Sequence, residues 1–351
     1  IPGLPKIPFI VLSILVGSVA FLLRQSRRKE EAELRRLAEA PEAKALPAPT
    51  TSEQVTKSLA LDVLELEIGY GLTKLADARV GGDLPERVTS TRKQMALELG
   101  FVMPTVRIRD SIQLRSSEYV IKVRGEEVGR SECQPTMLLA ISSGAVIGSV
   151  PGMPTKDPVF GLDALWIEPN MRETAERSGY TVIEPSAVIS THLAEIVKSS
   201  AAELLTRQDV SQLLDNAKAI NEAVVSELVP NILTLGDIQK TLQSLLRERV
   251  PIRDLVTILE TMADFGGRVK DPDQLAELVR ASIARTITRQ YVDEQNRLAC
   301  ITLEPDLERR LVESVAASNF GMALTLPPDD QRRLIDALGS EIETATGQGY
   351  H

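Results

Sequence analysis

Two histidines, His192 and His351, and two cysteines, Cys133 and Cys300, are the side chains of this sequence best suited to soft-metal ligation or proton relay near neutral pH. His192 alone lies in the interior of the chain, which leaves no pair for a two-histidine metal centre. It also leaves most Ser/His or Cys/His triads incomplete unless His351 joins them. The cysteines are far apart and outside any spaced motif, which suits a reducing compartment and provides no zinc framework. Neither G-x-x-x-x-G-K-[ST] nor G-x-G-x-x-G occurs, so no nucleotide cradle is signalled. Gly81-Gly82-Asp83 reads as a turn rather than a phosphate nest. Glu126-Glu127 and Asp329-Asp330 fall in turn-like stretches, where solvated charge is the default and nothing favours general acid–base work. On these residues the expectation is no catalytic group, no metal and no cofactor.

At 351 residues the chain has room for two or more domains. Its apolar fraction of 43% and charged fraction of 25% are those of a globular protein, and aromatics at 3% imply aliphatic cores. The net charge of -9 falls mostly on the body, which argues against nucleic acid as a partner because phosphate binding needs a basic face.

The elements that position these residues begin with an uncharged apolar run at 9–23, followed at once by Arg24, Arg27, Arg28 and Lys29. A bilayer core asks for about 20 apolar residues in a helix. Pro8 fits a first helical turn, and the basic cluster assigns the following end to the cytoplasm. The reading is a transmembrane helix over 1–23. Residues 24–57, rich in charge, Ala and Pro, read as a flexible cytoplasmic linker.

From Leu61 a period of two takes over at Leu64, Leu66 and Ile68, predicting a half-buried strand. A helix with Pro85 in its first turn runs to Leu99 and Gly100. Strand patterns recur at Val106/Ile108 and Tyr119/Ile121/Val123, and a turn at Gly125-Glu126-Glu127 precedes the apolar run 137–141. Residues 144–158 read as a Gly/Pro-rich loop, 170–179 as a short helix, 180–183 as a strand. A helix from Pro185 to Leu204 carries Ile189, Leu193, Ile196, Val197 and Leu204 on one stripe, with Thr191 off it and His192 at its edge. Beyond Arg207 the pattern is helical, with a capping box at Thr234/Asp237 and helix starts at Pro251 and Asp271-Pro272. Residues 297–303 read as a strand, and 305–316 and 328–345 as helices.

Several stretches, in order and spacing, resemble the FHIPEP family of flagellar export-gate proteins. They are Leu66-Glu67-Ile68-Gly69-Tyr70-Gly71-Leu72, Val106-Arg107-Ile108-Arg109-Asp110, Asp157-Pro158-Val159-Phe160-Gly161-Leu162, Trp166-Ile167, Ser190-Thr191-His192-Leu193, Glu203-Leu204-Leu205-Thr206-Arg207-Gln208 and Val250-Pro251-Ile252-Arg253-Asp254-Leu255. Residues 2–9 resemble the start of that family's last membrane helix. The resemblance runs to about Tyr291 and loosens beyond it.

It implies an inner-membrane component of the flagellar type III export apparatus, not an enzyme, with its body in the cytoplasm. That body would form a nine-membered ring and receive export substrates brought by flagellar export chaperones, beside other components of the apparatus. It further implies an α+β multidomain chain with one subdomain inserted in another. The expected divisions are 1–23 membrane helix, 24–57 linker, 58–132 plus 185–204 first α/β subdomain, and 133–184 inserted subdomain. A helical subdomain over 205–285 and a truncated C-terminal α/β subdomain over 286–351 complete the chain. The family's chaperone-docking dimple maps onto Asp157, Phe160 and Thr191. Read from the residues alone, Phe160 is either a core side chain beside Trp166 or an exposed aromatic anchor with a polar rim. In one respect the chain departs from the family: the stretch 24–60 contains no aromatic, whereas the family's linker docks on the neighbouring subunit partly through one. The homologous gate of a virulence injectisome and a membrane-anchored enzyme are the alternative readings.

Overall fold

The computed structural model describes residues 61–142, 146–293, 295–318 and 321–347, so the apolar run at 9–23 and the linker at 24–57 lie outside the described residues. The chain divides into two units, Ile1–Ala60 and Leu61–His351, and all the described elements belong to the second. Among the described residues no helix is long and apolar enough to cross a membrane.

Leu64, Leu66 and Ile68 alternate with Glu65 and Glu67 in β1 (Leu64–Ile68), and the three apolar side chains are buried. α1 (Leu84–Leu99) opens with Pro85 in its first turn and stops at Gly100, whose φ of 90° is the left-handed conformation that ends helices. The chain returns as β2 (Val106–Asp110), parallel to β1. β3 (Glu118–Val123) pairs antiparallel on the other side of β1, and β4 (Glu126–Glu132) completes a hairpin, giving the order β2-β1-β3-β4. Arg124 at φ 51° and Gly125 at φ 84° supply the positive-φ pair that a two-residue hairpin turn requires.

From β4 the chain leaves for a second antiparallel sheet of β5 (Leu138–Ile141), β6 (Met153–Lys156), β7 (Asp163–Ile167) and, after α2 (Arg172–Arg177), β8 (Thr181–Ile183), in the order β6-β7-β5-β8. β5 is buried on both faces. Leu139 and Ile141 join the main core, while Leu138 and Ala140 join a smaller cluster with Val150, Ile167 and Ala175. A strand covered on both sides reads as an unbroken apolar run. α3 (Pro185–Ser199) brings the chain back beside α1, with Val188, Ile189, Leu193 and Val197 buried in the main core.

The helices α4 (Arg207–Ile220), α5 (Glu222–Leu228), α6 (Leu235–Arg247), α7 (Leu255–Gly266) and α8 (Pro272–Ser282) extend that core. Capping boxes start two of them, Thr206 with Asp209 and Thr234 with Asp237. The backbone N–H of Ile252 donates to the Leu99 carbonyl at 2.8 Å, tying this region to the end of α1. A Cβ on Gly100 would stand 2.4 Å from Arg253 N, so only glycine permits that approach. α9 (Pro305–Glu313), β9 (Val315–Ser318), β10 (Gly321–Leu324) and α10 (Pro328–Gly347) follow. From residue 295 onward none of the residues with described side chains is buried.

Several expectations need correction. The loop-like stretch 144–158 contains β6, an edge strand that tolerates Pro154. The helix expected from Pro185 to Leu204 breaks at Ser200, with a separate turn at Ala201–Leu204. The helix expected at Pro251 starts at Leu255, where the Asp254 carboxylate accepts from the Thr257 N–H. Residues 297–303 form no strand, and the helix expected to reach Ala316 ends at Glu313 because β9 begins two residues later.

Candidate protein-docking site

An open cleft of roughly 370 Å³ lies between α1 and α3, with the turn joining β6 to β7 at its rim. From α3 it is floored by Ala187, Ser190, Thr191 and Ala194, residues three, four and seven positions apart and therefore on one face. Ser90, Thr91 and Gln94 occupy the facing side of α1, and Val159 and Phe160 come from the turn. Small and uncharged polar side chains thus line a furrow between two adjacent helices, with an aromatic ring above it.

The turn is built by Asp157. Its backbone N–H donates to the Leu162 carbonyl at 2.8 Å, and its own carbonyl accepts from the Gly161 N–H at 3.0 Å. Its carboxylate oxygen Oδ2 accepts from the N–H groups of Val159 (3.2 Å) and Phe160 (2.6 Å). An aspartate that folds the next residues around its own side chain is the mechanism of an Asx turn, and Gly161 at φ 68° completes the reversal. Asp157 is 5% exposed and Phe160 is 72% exposed. Of the two readings of Phe160, the exposed one holds, and Trp166 at 4% is the core aromatic. Phe160 and Thr191 line the cleft, whereas Asp157 lies beneath its rim.

The charged side chains at the cleft have intramolecular partners. Arg87 bonds to Asp83 and Glu184, Lys198 pairs with Glu98, and Glu195 pairs with Arg249. They bracket the furrow rather than converging on a point within it. Below α3, His192 is buried rather than at a stripe edge, its Nδ1 2.9 Å from the Tyr119 hydroxyl in a T-shaped ring contact. Burial holds the His192 pKa below its ordinary value, partly offset by the Asp157 charge, and burial pushes the Tyr119 phenol up. Burial likewise pushes the nearby Cys133 thiol up to about 12, which keeps it protonated and unreactive.

Elsewhere, Gly81 sits at φ 89° at the end of a 3-10 turn, and a Cβ on Gly82 would meet the Lys74 carbonyl oxygen at 2.4 Å, so this pair makes a packed turn. Glu127 is held by Arg130, whose bonds keep its carboxyl below the usual range. The residues missed in the sequence are Ser90, Thr91 and Gln94. They are ordinary solvent-face residues of an amphipathic helix, and nothing in their spacing distinguishes them until α3 lies alongside.

The FHIPEP family model matches residues 1–351. The flagellar biosynthesis protein FlhA of Bacillus subtilis is 42% identical over 311 residues, covering 88% of this chain and 45% of that protein. FlhA of Escherichia coli strain K12 is 37% identical over 315 residues, covering 90% and 45%. The chain therefore spans somewhat under half the length of the curated relatives it matches. Among solved structures, the Chlamydia pneumoniae CdsV protein superposes with a TM-score of 0.69 at 22% identity, over 79% of this chain and 81% of that one. The nonameric EscV cytosolic domain from the type III secretion system gives 0.64 at 22%, over 80% and 81%. At such identity these structures establish a shared fold.

Proposed function

The chain belongs to the FHIPEP family, and from that premise we propose that it is a component of a flagellar type III protein-export gate whose body docks chaperone–substrate complexes at the cleft between α1 and α3. The observation that carries the docking role is the pairing of an exposed aromatic, fixed on a hydrogen-bonded turn, with a furrow of small and polar side chains. Aromatic anchors beside a pocket dominate protein-binding energies, and a pre-ordered turn avoids the entropy of immobilising them. Asp157, Phe160 and Thr191 form the site, with Asp157 as its scaffold. The gate binds and hands on other proteins; it does not transform them. The paired charges around the furrow support this reading over that of a membrane-anchored enzyme.

The flagellar apparatus is preferred over an injectisome because the flagellar relatives reach 42% identity, against 22% for the EscV domain. Ring assembly in nine copies, contact with other membrane and cytoplasmic components of the apparatus, and anchoring at the inner membrane through residues 9–23 with linker 24–57 are parts of the same proposal. So is the division of the body into a first α/β subdomain (58–132 plus 185–204), an insert (133–184), a helical part (205–285) and a C-terminal part (286–351). The excursion of the chain through a second sheet between β4 and α3 supports the insert.

The test is calorimetry of the whole chain against a flagellar export chaperone bound to its substrate. Phe160→Ala is expected to weaken binding by more than about 1 kcal/mol with an unchanged circular-dichroism melt, because the ring makes little of the core. Equal affinity for both proteins would remove Phe160 from the site.

A further inference from the structure

Of the edge strands in the two four-stranded sheets, β2, β4, β6 and β8, all but β2 are blunted against further pairing. β6 carries Pro154, β8 is three residues long, and β4 is bulged where its register with β3 shifts. The five residues of β2 pair with β1 in unbroken parallel register. The Ser111 N–H donates to the Ile68 carbonyl at 2.9 Å, which sets the alternation of that ladder. Every second residue of a parallel strand turns both backbone groups to its neighbour, so Arg107 and Arg109 face β1 while Val106, Ile108 and Asp110 face away. Among the described residues nothing bonds those outward N–H and C=O groups. The side chains alternate as well. Val106 and Ile108 are half-buried against the core, and Arg107 and Arg109 stand exposed on the opposite face. Both guanidiniums donate to one oxygen, Oδ2 of Asp62, at 3.0 and 2.7 Å, and Arg109 lies 3.6 Å from Glu65. These contacts use Nη1 of Arg107 and Nη2 of Arg109, which leaves the other donors of both forks available.

We propose that the outer edge of β2 is a docking site for an extended segment of a partner protein in which aliphatic and acidic residues alternate. The segment adds a strand to the sheet, its backbone meeting the outward groups of Val106, Ile108 and Asp110. Its aliphatic side chains continue the apolar face beside Val106 and Ile108, and its carboxylates lie beside Arg107 and Arg109. β1 shows the same fit from the inner side: Leu-Glu-Leu-Glu-Ile runs along β2 with Glu65 opposite Arg107 and Glu67 opposite Arg109. A second copy of this chain is the wrong occupant. Antiparallel pairing of two β2 strands about Ile108 sets arginine against arginine on either side of it, and like charges directly opposite destabilise a pair. The arginines thus guard the edge against self-association and leave it open to an acidic strand. Asp62 and Glu65 balance the local charge, so a diffuse anionic surface gains little there. Directed N–H donors at strand spacing instead favour carboxylates held on a backbone. This site is separate from the cleft between α1 and α3 and does not depend on the reading of Phe160.

The probe is a short capped peptide, Thr-Leu-Glu-Val-Glu-Leu-Thr, added to the whole chain, with Thr-Leu-Lys-Val-Lys-Leu-Thr as its charge-reversed control. At low salt the acidic peptide is expected to bind about tenfold tighter than the control. Hydrogen exchange, read by mass spectrometry with residue-resolved fragmentation, is expected to slow at the outward amides of Val106, Ile108 and Asp110 when the acidic peptide binds. N-methylation of one alternate set of amides in that peptide should abolish binding, and methylation of the other set should leave it, because only one edge of the added strand pairs. Combining R107E with R109E is expected to reverse the preference in favour of the lysine peptide. Equal binding of the two peptides, or exchange that stays fast at those amides with the acidic peptide in excess, overturns the proposal. So does a double variant that still prefers the acidic peptide. Should the double variant fail to fold by circular dichroism, the N-methylated peptides decide on the unaltered chain: equal binding by both sets means that no strand is added.

Discussion

Asp157 and Phe160 stand three positions apart in one turn: the buried member shapes it and the exposed member is the one proposed to meet a partner. Asp157→Ala leaves two turn amides without their acceptor and gives Phe160 back its conformational freedom. Its effect on docking is therefore expected to approach that of Phe160→Ala, although the carboxylate itself is covered. Because both changes act through one ring, calorimetry of the double variant should show a loss close to that of Phe160→Ala alone, well short of the sum. Additive losses would mean that Asp157 touches the partner independently. Thr191→Ala removes one hydroxyl from the furrow floor and is expected to cost less than either. The Gly/Pro-rich composition of 144–158 was legible in the sequence as a loop, but the turn that Asp157 builds with Gly161 was not. Nor was the direction in which Phe160 points, since it depends on which sheet edge the turn closes. The resemblance to a family nominated the three residues; only the folded turn separates the buried Asp157 from the exposed Phe160.

At the scale of elements, the stretches with a clean period were legible and those defined by a partner were not. β1 and β3 announce themselves because their apolar residues face one core. β4, Glu-Glu-Val-Gly-Arg-Ser-Glu, has almost no apolar content and is a strand because β3 presents its ladder across the Arg124–Gly125 turn. Residues 297–303 show the converse, a strand-like composition that joins no described strand. Capping chemistry is local and so should be readable and testable. Thr234 and Thr206 each accept a backbone N–H and exchange bonds with an aspartate three residues on, and these bonds hold the Asp237 carboxyl below its usual range. Thr234→Ala and Thr206→Ala are each expected to destabilise the body by about 1 kcal/mol. Urea denaturation checks this, and the two losses should add because the caps head different helices and share no bond. Gly100→Ala combines a positive φ with a clash against Arg253, and is expected to cost more than either cap.

For the molecule as a whole, the question is how a body with an acidic balance is held to its place of work. The described part of the unit from Leu61 onward carries its own continuous core from the first sheet through α8, and none of its described helices can cross a bilayer. Any membrane anchorage of this chain by a helical span therefore has to come from the 1–60 unit, where the uncharged run at 9–23 precedes Arg24, Arg27, Arg28 and Lys29. Transfer of such a run into hydrocarbon is favourable, and the basic cluster resists translocation. The whole chain is accordingly expected to remain in the membrane pellet after an alkaline carbonate wash, while a chain starting at Leu61 is released and melts as the full-length body does. Replacing Val16 and Ala20 with aspartate should release the whole chain too, since each charge at the centre of a span costs about 3 kcal/mol on insertion scales. Release of the unaltered whole chain by the wash would refute the span. Retention of the Leu61 chain would instead place membrane affinity on the body, where the paired surface charges of the first sheet, Arg107 and Arg109 with Asp62, give anionic lipid little free cation to bind.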